Sequence, residues 1–136
     1  MGFSGLYGST AALSATLTLA AVTHCIGIGF QRGTHTNWQL VHNGASGSPQ
    51  LTDLGASFPV ASLSNVLTLT LHAPAQASSV FVRVVEEVSG GVVELEAASD
   101  LPGAAQFLSP RNFLNTGATA AAVSFDSAGV YLETDF

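Results

Sequence analysis

The chain has 136 residues, of which 47% are hydrophobic and only 9% charged, with a net charge of −6. Its only basic residues besides histidine are Arg32, Arg83 and Arg111; there is no lysine. Three scattered arginines exclude the basic clusters that neutralise nucleic-acid phosphates or bind anionic membrane surfaces.

At this length the chain reads as one domain, residues 1–136, able to bury a core of its own. Soluble domains average roughly 25% charged residues. A surface this poor in charge is expected to be buried against other subunits, or to be kept soluble by Ser, Thr, Asn and Gly. Cys25 is the single cysteine, so no internal disulfide forms. Its apolar surroundings in sequence suit a small buried residue.

Period-two alternation dominates the chain. Residues 3–7 read as a first strand ended by Gly8-Ser9. Residues 11–22 could be mistaken for the apolar stretch of a signal peptide, but no basic region precedes them and Ser and Thr interrupt them. They are also too short and polar to span a bilayer. They read as a strand or extended segment, their alanines leaving helix open, and no targeting signal is expected. Residues 24–31 form a strand with Gly27 and Gly29 on one face. Paired glycines in a strand predict that a large side chain or another backbone lies across them, and Trp38 is the obvious large side chain.

Residues 32–36 read as a loop and 37–43 as the next strand. Gly44 to Pro49 is a turn by composition, and residues 51–54 a further short strand. Residues 66–73, Val-Leu-Thr-Leu-Thr-Leu-His-Ala, are the clearest strand in the chain. Leu67, Leu69 and Leu71 should point inward, and Thr68, Thr70 and His72 outward. Residues 80–88 and 92–96 flank Gly90-Gly91 as a hairpin. Residues 100–103 form a turn, and 107–108 a short apolar piece ended by Pro110. Residues 111–115 and 120–125 suggest a second hairpin, and 129–134 a last strand. Nine or ten strands at this spacing predict an all-β antiparallel sandwich.

Few residues suggest chemistry. His24, His35, His42 and His72 share no metal-ligand spacing, and without a His/Cys cluster no metal site and no cofactor are expected. Glu87 and Glu94 would face each other across a hairpin, but a pair of acids there reads first as a charged edge that discourages strand-to-strand aggregation, not as the carboxylate pair of a glycosidase. No nucleophile elbow or phosphate loop occurs, so catalysis is not expected. Trp38 shares its strand face with Leu40 and His42. It reads either as core packing against the glycine strand or as an exposed sugar-stacking platform. The polar loops 32–37 and 43–50 flank it, and loops on a rigid sandwich are where binding resides. The candidate ligand-binding residues are therefore Arg32, His35, Asn37, Trp38, His42 and Asn43.

The Gly27/Gly29 strand, the 37–43 strand, the 53–59 turn, the Asp100-Leu101-Pro102 turn and residues 115–122 (Asn-Thr-Gly-Ala-Thr-Ala-Ala-Ala) occur in an order that resembles the C-terminal domain of bacteriophage tail-fibre and other virion-surface fibre proteins. The resemblance spans residues 27–136. It implies a trimeric, jelly-roll-like β-sandwich, assembled in the host cytoplasm and displayed on the virion surface as a tail-fibre tip or head fibre/decoration module. Its partners would be two further copies of itself, other phage virion proteins and a host cell-surface glycan. The family offers no motif of functional residues to transfer. The chain begins at Met1 with no upstream shaft, and so reads as an excised domain or a short stand-alone virion protein. A stand-alone, lectin-like carbohydrate-binding module is the alternative.

Overall fold

A computed structural model describes residues 1–8, 17–61, 64–117, 126–127 and 129–133. They form eight strands: β1 (Gly2–Tyr7), β2 (Cys25–Phe30), β3 (Gln39–Asn43), β4 (Gln50–Asp53), β5 (Leu67–His72), β6 (Val80–Glu86), β7 (Gly91–Ala97) and β8 (Ser109–Leu114). One sheet has the order β4-β3-β2-β1-β8 and the other β5-β6-β7, with every neighbouring pair antiparallel. The fold is the expected all-β sandwich. No helix among the described residues is long and apolar enough to cross a membrane.

The three-stranded sheet shows how alternation builds a sandwich. In β5 the inward residues Leu67, Leu69 and Leu71 are half-buried, while Thr68, Thr70 and His72 are exposed. The β5–β6 and β6–β7 registers continue this inner face through Val82 and Val84 to Val93, Leu95 and Ala97. These side chains meet Ile26, Ile28 and Leu40 of the five-stranded sheet, and Leu54 and Phe58 close the core.

The five-stranded sheet is covered on both faces. Its far side holds a second core of Met1, Phe3, Tyr7, Cys25 and Val41, covered by Leu19 and Val22, with Leu17 and Phe113 at its margin. Hence β3 is buried at all five positions and β2 at five of its six. Residues covered on two sides no longer alternate between apolar and polar.

The glycines of β2 are needed for close approach. A Cβ on Gly27 would collide with the Ser4 carbonyl oxygen of β1 and lie 2.7 Å from the Gly5 Cα. A Cβ on Gly29 would meet Leu19 Cδ1 at 2.8 Å. The backbone of β1 and the side chain of Leu19 thus occupy the face that Trp38 was expected to cover. The Trp38 ring packs edge-on against Phe30, with centroids 4.7 Å apart and planes at 72°.

Other expectations are corrected locally. Of the element expected over 11–22, as strand or extended chain with helix left open, residues 19–21 form a single 3-10 turn (Leu19–Ala21); residues 11–16 lie outside the described residues. Pro110 lies inside β8 instead of ending the segment before it, a position tolerated because β8 is at the sheet edge. The strand expected over 129–134 does not form across 129–133. Among the described residues no partner strand pairs with it, and Val130, Tyr131 and Leu132 are exposed. The expected strand 120–125 lies outside the described residues.

Candidate functional site

β2 and β3 are joined by residues 31–38, which form one wall of a cleft of about 290 Å³. Arg32, Gly33, Thr34, His35 and Thr36 line one side, and Val60 and Ala61 the other. The loop turns back on itself through Thr34 and His35, whose N–H groups donate to the Gln31 carbonyl at 3.1 and 2.9 Å. Gly33 adopts φ +88° at the tip, a conformation favourable to glycine. The Gln31 N–H donates to His35 Nδ1 at 3.1 Å. In the neutral ring the proton is therefore on Nε2, which becomes a donor.

The opposite wall is tied to the first by backbone bonds. Val60 N–H donates to the Thr36 carbonyl at 2.9 Å, Trp38 N–H to Phe58 at 2.9 Å, and Leu54 N–H to Trp38 at 3.0 Å. An isolated bridge joins Asn37 to Pro59, and Asn65 Nδ2 donates to the Pro59 carbonyl at 2.6 Å. The connection after β4 thus runs beside residues 36–38 almost as an added strand.

Asp53 is the hub below the cleft. Its Oδ1 accepts from Gly55 N–H at 2.6 Å and from Asn37 Nδ2 at 3.0 Å, and its Oδ2 from Gln39 Nε2 at 3.1 Å. The Gly55 N–H, and next the Gln39 amide, hold its carboxyl below the usual aspartate range. Gln39 Nε2 also donates to the Asn37 carbonyl at 2.9 Å.

The candidate residues therefore fall into two groups. Arg32 and His35 line the cleft, Asn37 is tied to Asp53, and Trp38 does not line the cleft but lies half-buried against Phe30 and the margin of the main core. His42 and Asn43 are buried in β3 at its other end and do not belong to a surface loop. Asn43 Nδ2 donates to the carbonyls of Val22 and Gly47 at 2.8 and 3.2 Å, and its buried Oδ1 has no hydrogen-bond partner among the described residues. His42 Nδ1 approaches the Asp100 carbonyl oxygen at 3.5 Å. Val60, Ala61 and Asp53 were missed by sequence reasoning, and Gly33, Thr34 and Thr36 lay in the flagged 32–37 loop without being named as candidates. The polar turn at Asp53-Leu54-Gly55 was the only local signal.

The chain matches no family model, no curated protein and no solved structure.

Chemically the cleft offers one guanidinium, hydroxyls from Thr34 and Thr36, an imidazole and two small apolar side chains. Among the described residues no carboxylate lines it. Among the described residues no group of three or more His, Cys, Asp or Glu side chains could hold a metal ion. Such a mixture of donors, acceptors and a low apolar wall suits a small hydroxyl-rich group. Arg32 adds a point for a carboxylate or other anionic substituent.

Proposed function

We propose that this protein is a virion-surface module, a trimeric phage fibre tip or head decoration domain, that attaches the particle to a host cell-surface glycan through the 32–36 cleft. The observation that carries the reading is that cleft. Its described lining joins a guanidinium, two hydroxyls and an imidazole to a larger apolar surface, and it is held on the sandwich by the Asp53 hub and by backbone bonds to the 58–60 segment. The sequence resemblance to fibre C-terminal domains and the scarcity of surface charge support the virion setting. A shallow site suffices there, because many copies on one particle convert weak binding into avidity.

In this reading Arg32 takes an acidic substituent of the sugar, while Thr34, Thr36 and His35 hydrogen-bond its hydroxyls. The test is binding of the chain to immobilised bacterial surface polysaccharides, acidic and neutral, beside its solution mass from light scattering. Binding that favours acidic polymers and falls about tenfold in Arg32→Ala, the loss of one charge-assisted contact, supports the cleft. Equal binding by the wild type and Arg32→Ala overturns it. A monomer that binds sugar moves the protein to the stand-alone carbohydrate-binding class.

A further inference from the structure

Among the described residues, four strands of this sandwich have only one neighbour: β4 and β8 in one sheet, β5 and β7 in the other. Open edges invite pairing with other chains, and proteins blunt them with charges, prolines or short strands. Three of the four are blunted. β4 has four residues, follows Pro49 and carries Asp53. β8 contains Pro110 and Arg111. β7 carries Glu94 and Glu96. β5, Leu-Thr-Leu-Thr-Leu-His, carries no proline, carboxylate, lysine or arginine.

Residues 67–71 are also a palindrome, Leu-Thr-Leu-Thr-Leu. Two such strands related by a twofold axis through Leu69 place leucine opposite leucine and threonine opposite threonine. They do so with the core-facing sides of both sheets on the same side, as an antiparallel pair requires. The hydrogen-bonding phase agrees. The Glu87 N–H donates to the Val66 carbonyl at 2.9 Å, so residues 66, 68, 70 and 72 turn their backbone groups toward β6. Those of Leu67, Leu69 and Leu71 then face the open edge. These three leucines point toward the core yet remain half-buried.

We infer that β5 pairs edge to edge with β5 of a second copy of this chain, joining two three-stranded sheets into one six-stranded sheet about a twofold axis at Leu69. Leu69 exchanges both of its N–H···O=C bonds with its own copy, and Leu67 and Leu71 exchange theirs with Leu71 and Leu67 of the second copy. Thr68 lies against Thr70 of the second copy on the outer face. Charge favours this edge over the others. Of the acids in this sheet, Glu94 and Glu96 lie two strands from β5, while Glu86 of β6, opposite Leu67, is buried with its carboxylate accepting from the Val88 and Ser89 N–H groups. At about 4.8 Å per strand, the two-strand separation approaches the Debye length of roughly 8–10 Å.

The inference goes beyond the attachment reading and is tested separately. Light scattering should give an even multiple of the 13.8 kDa chain mass, six copies if a trimer also forms. Thr68→Lys/Thr70→Lys sets like charges opposite each other in both symmetry-related pairs while leaving the core untouched. It should weaken the pairing about tenfold or more. A register-specific check uses Thr68→Cys and Thr70→Cys as separate proteins. Mild oxidation of their mixture should give a cross-linked pair, and neither variant alone should, because each cysteine then faces a threonine. Absence of the cross-link in the mixture, or a threefold mass unchanged by the lysines, overturns the pairing. Either result leaves glycan binding through the cleft as it stands.

Discussion

Gly5 of β1 and Gly27 of β2 stand directly opposite each other in the antiparallel register, and a methyl group on Gly27 would lie 2.7 Å from the Gly5 Cα. Two backbones meet where most strand pairs carry side chains. Gly27→Ala is therefore expected to destabilise the fold by about 1–3 kcal/mol, the range for overpacking a core that cannot shift. Gly103→Ala, where a Cβ meets nothing within 4 Å, should stay within about 0.5 kcal/mol of the parent. Denaturant melts of the two variants provide the comparison.

The second core predicts a larger loss from one side chain. Leu19, on its 3-10 turn, is 1% exposed and lies over Gly29 and Val41 on the far face of the five-stranded sheet. Leu19→Ala should cost about 2–5 kcal/mol, as for a buried leucine whose cavity does not collapse. Leu51 is 39% exposed, so Leu51→Ala should cost much less. Equal losses would mean that residues 17–22 do not form a structural layer.

Asp53 links the fold to the cleft. Asp53→Ala removes the acceptor for Gly55, Asn37 and Gln39. A loss of about 0.5–1.5 kcal/mol is expected, the net value of such bonds near the surface, with faster hydrogen exchange at the Gly55 amide. The sign with pH follows from its lowered pKa. The contribution is present above the ordinary aspartate value near pH 4 and fades as pH falls through the lower folded value. Asp53→Asn should flatten that acid limb, and the effect is small because the carboxylate is exposed.

Cys25 gives the opposite dependence. Burial, first of all, pushes its thiol up to about 12, with the Asp100 charge adding to the rise and a hydrogen bond from the Asn43 backbone opposing it. The unfolded chain ionises first, so stability is complete below the unfolded value of about 8.5. It falls as pH rises from there toward 12, at a limiting slope near 1.4 kcal/mol per pH unit. A Cys25→Ala variant should lose this slope in alkaline melts. The native thiol should resist alkylation at pH 8 and react on unfolding.

The strands most readable in the sequence are those with one wet face. In β5 the alternation of Leu and Thr gave the inward and outward sets directly, and the Gly90-Gly91 turn marked the β6–β7 hairpin. β2 and β3 were recognisable as strands, but their two-sided burial was not. Leu40 and Val41 enter different cores, and the layer over Val41 comes from a segment whose Ala, Thr and Leu suit several conformations. Residues 129–133 show the converse. Alternation states that a segment can pair, and says nothing of whether a partner is there.

The cleft was half readable for a similar reason. Arg32 and His35 lie in a loop whose polarity is visible in one short window. Val60 and Ala61 join them through the backbone bonds between Thr36 and Val60 and between Trp38 and Phe58, which leave no mark on residue type. His42 and Asn43 were grouped with that loop by proximity in the chain. A strand carries its two ends apart, and β3 places them near Gly44 and Asp100 instead.

Those same backbone bonds separate recognition from scaffolding. The cleft walls are pinned through the carbonyl of Thr36 and the N–H of Val60, so the side chains at 32, 34, 36, 60 and 61 carry none of the pinning bonds. They are free to vary without loosening the frame that presents them. A library randomised at these five positions should yield mostly folded proteins, and under the proposed attachment reading their sugar preference changes while the sandwich that presents the cleft does not.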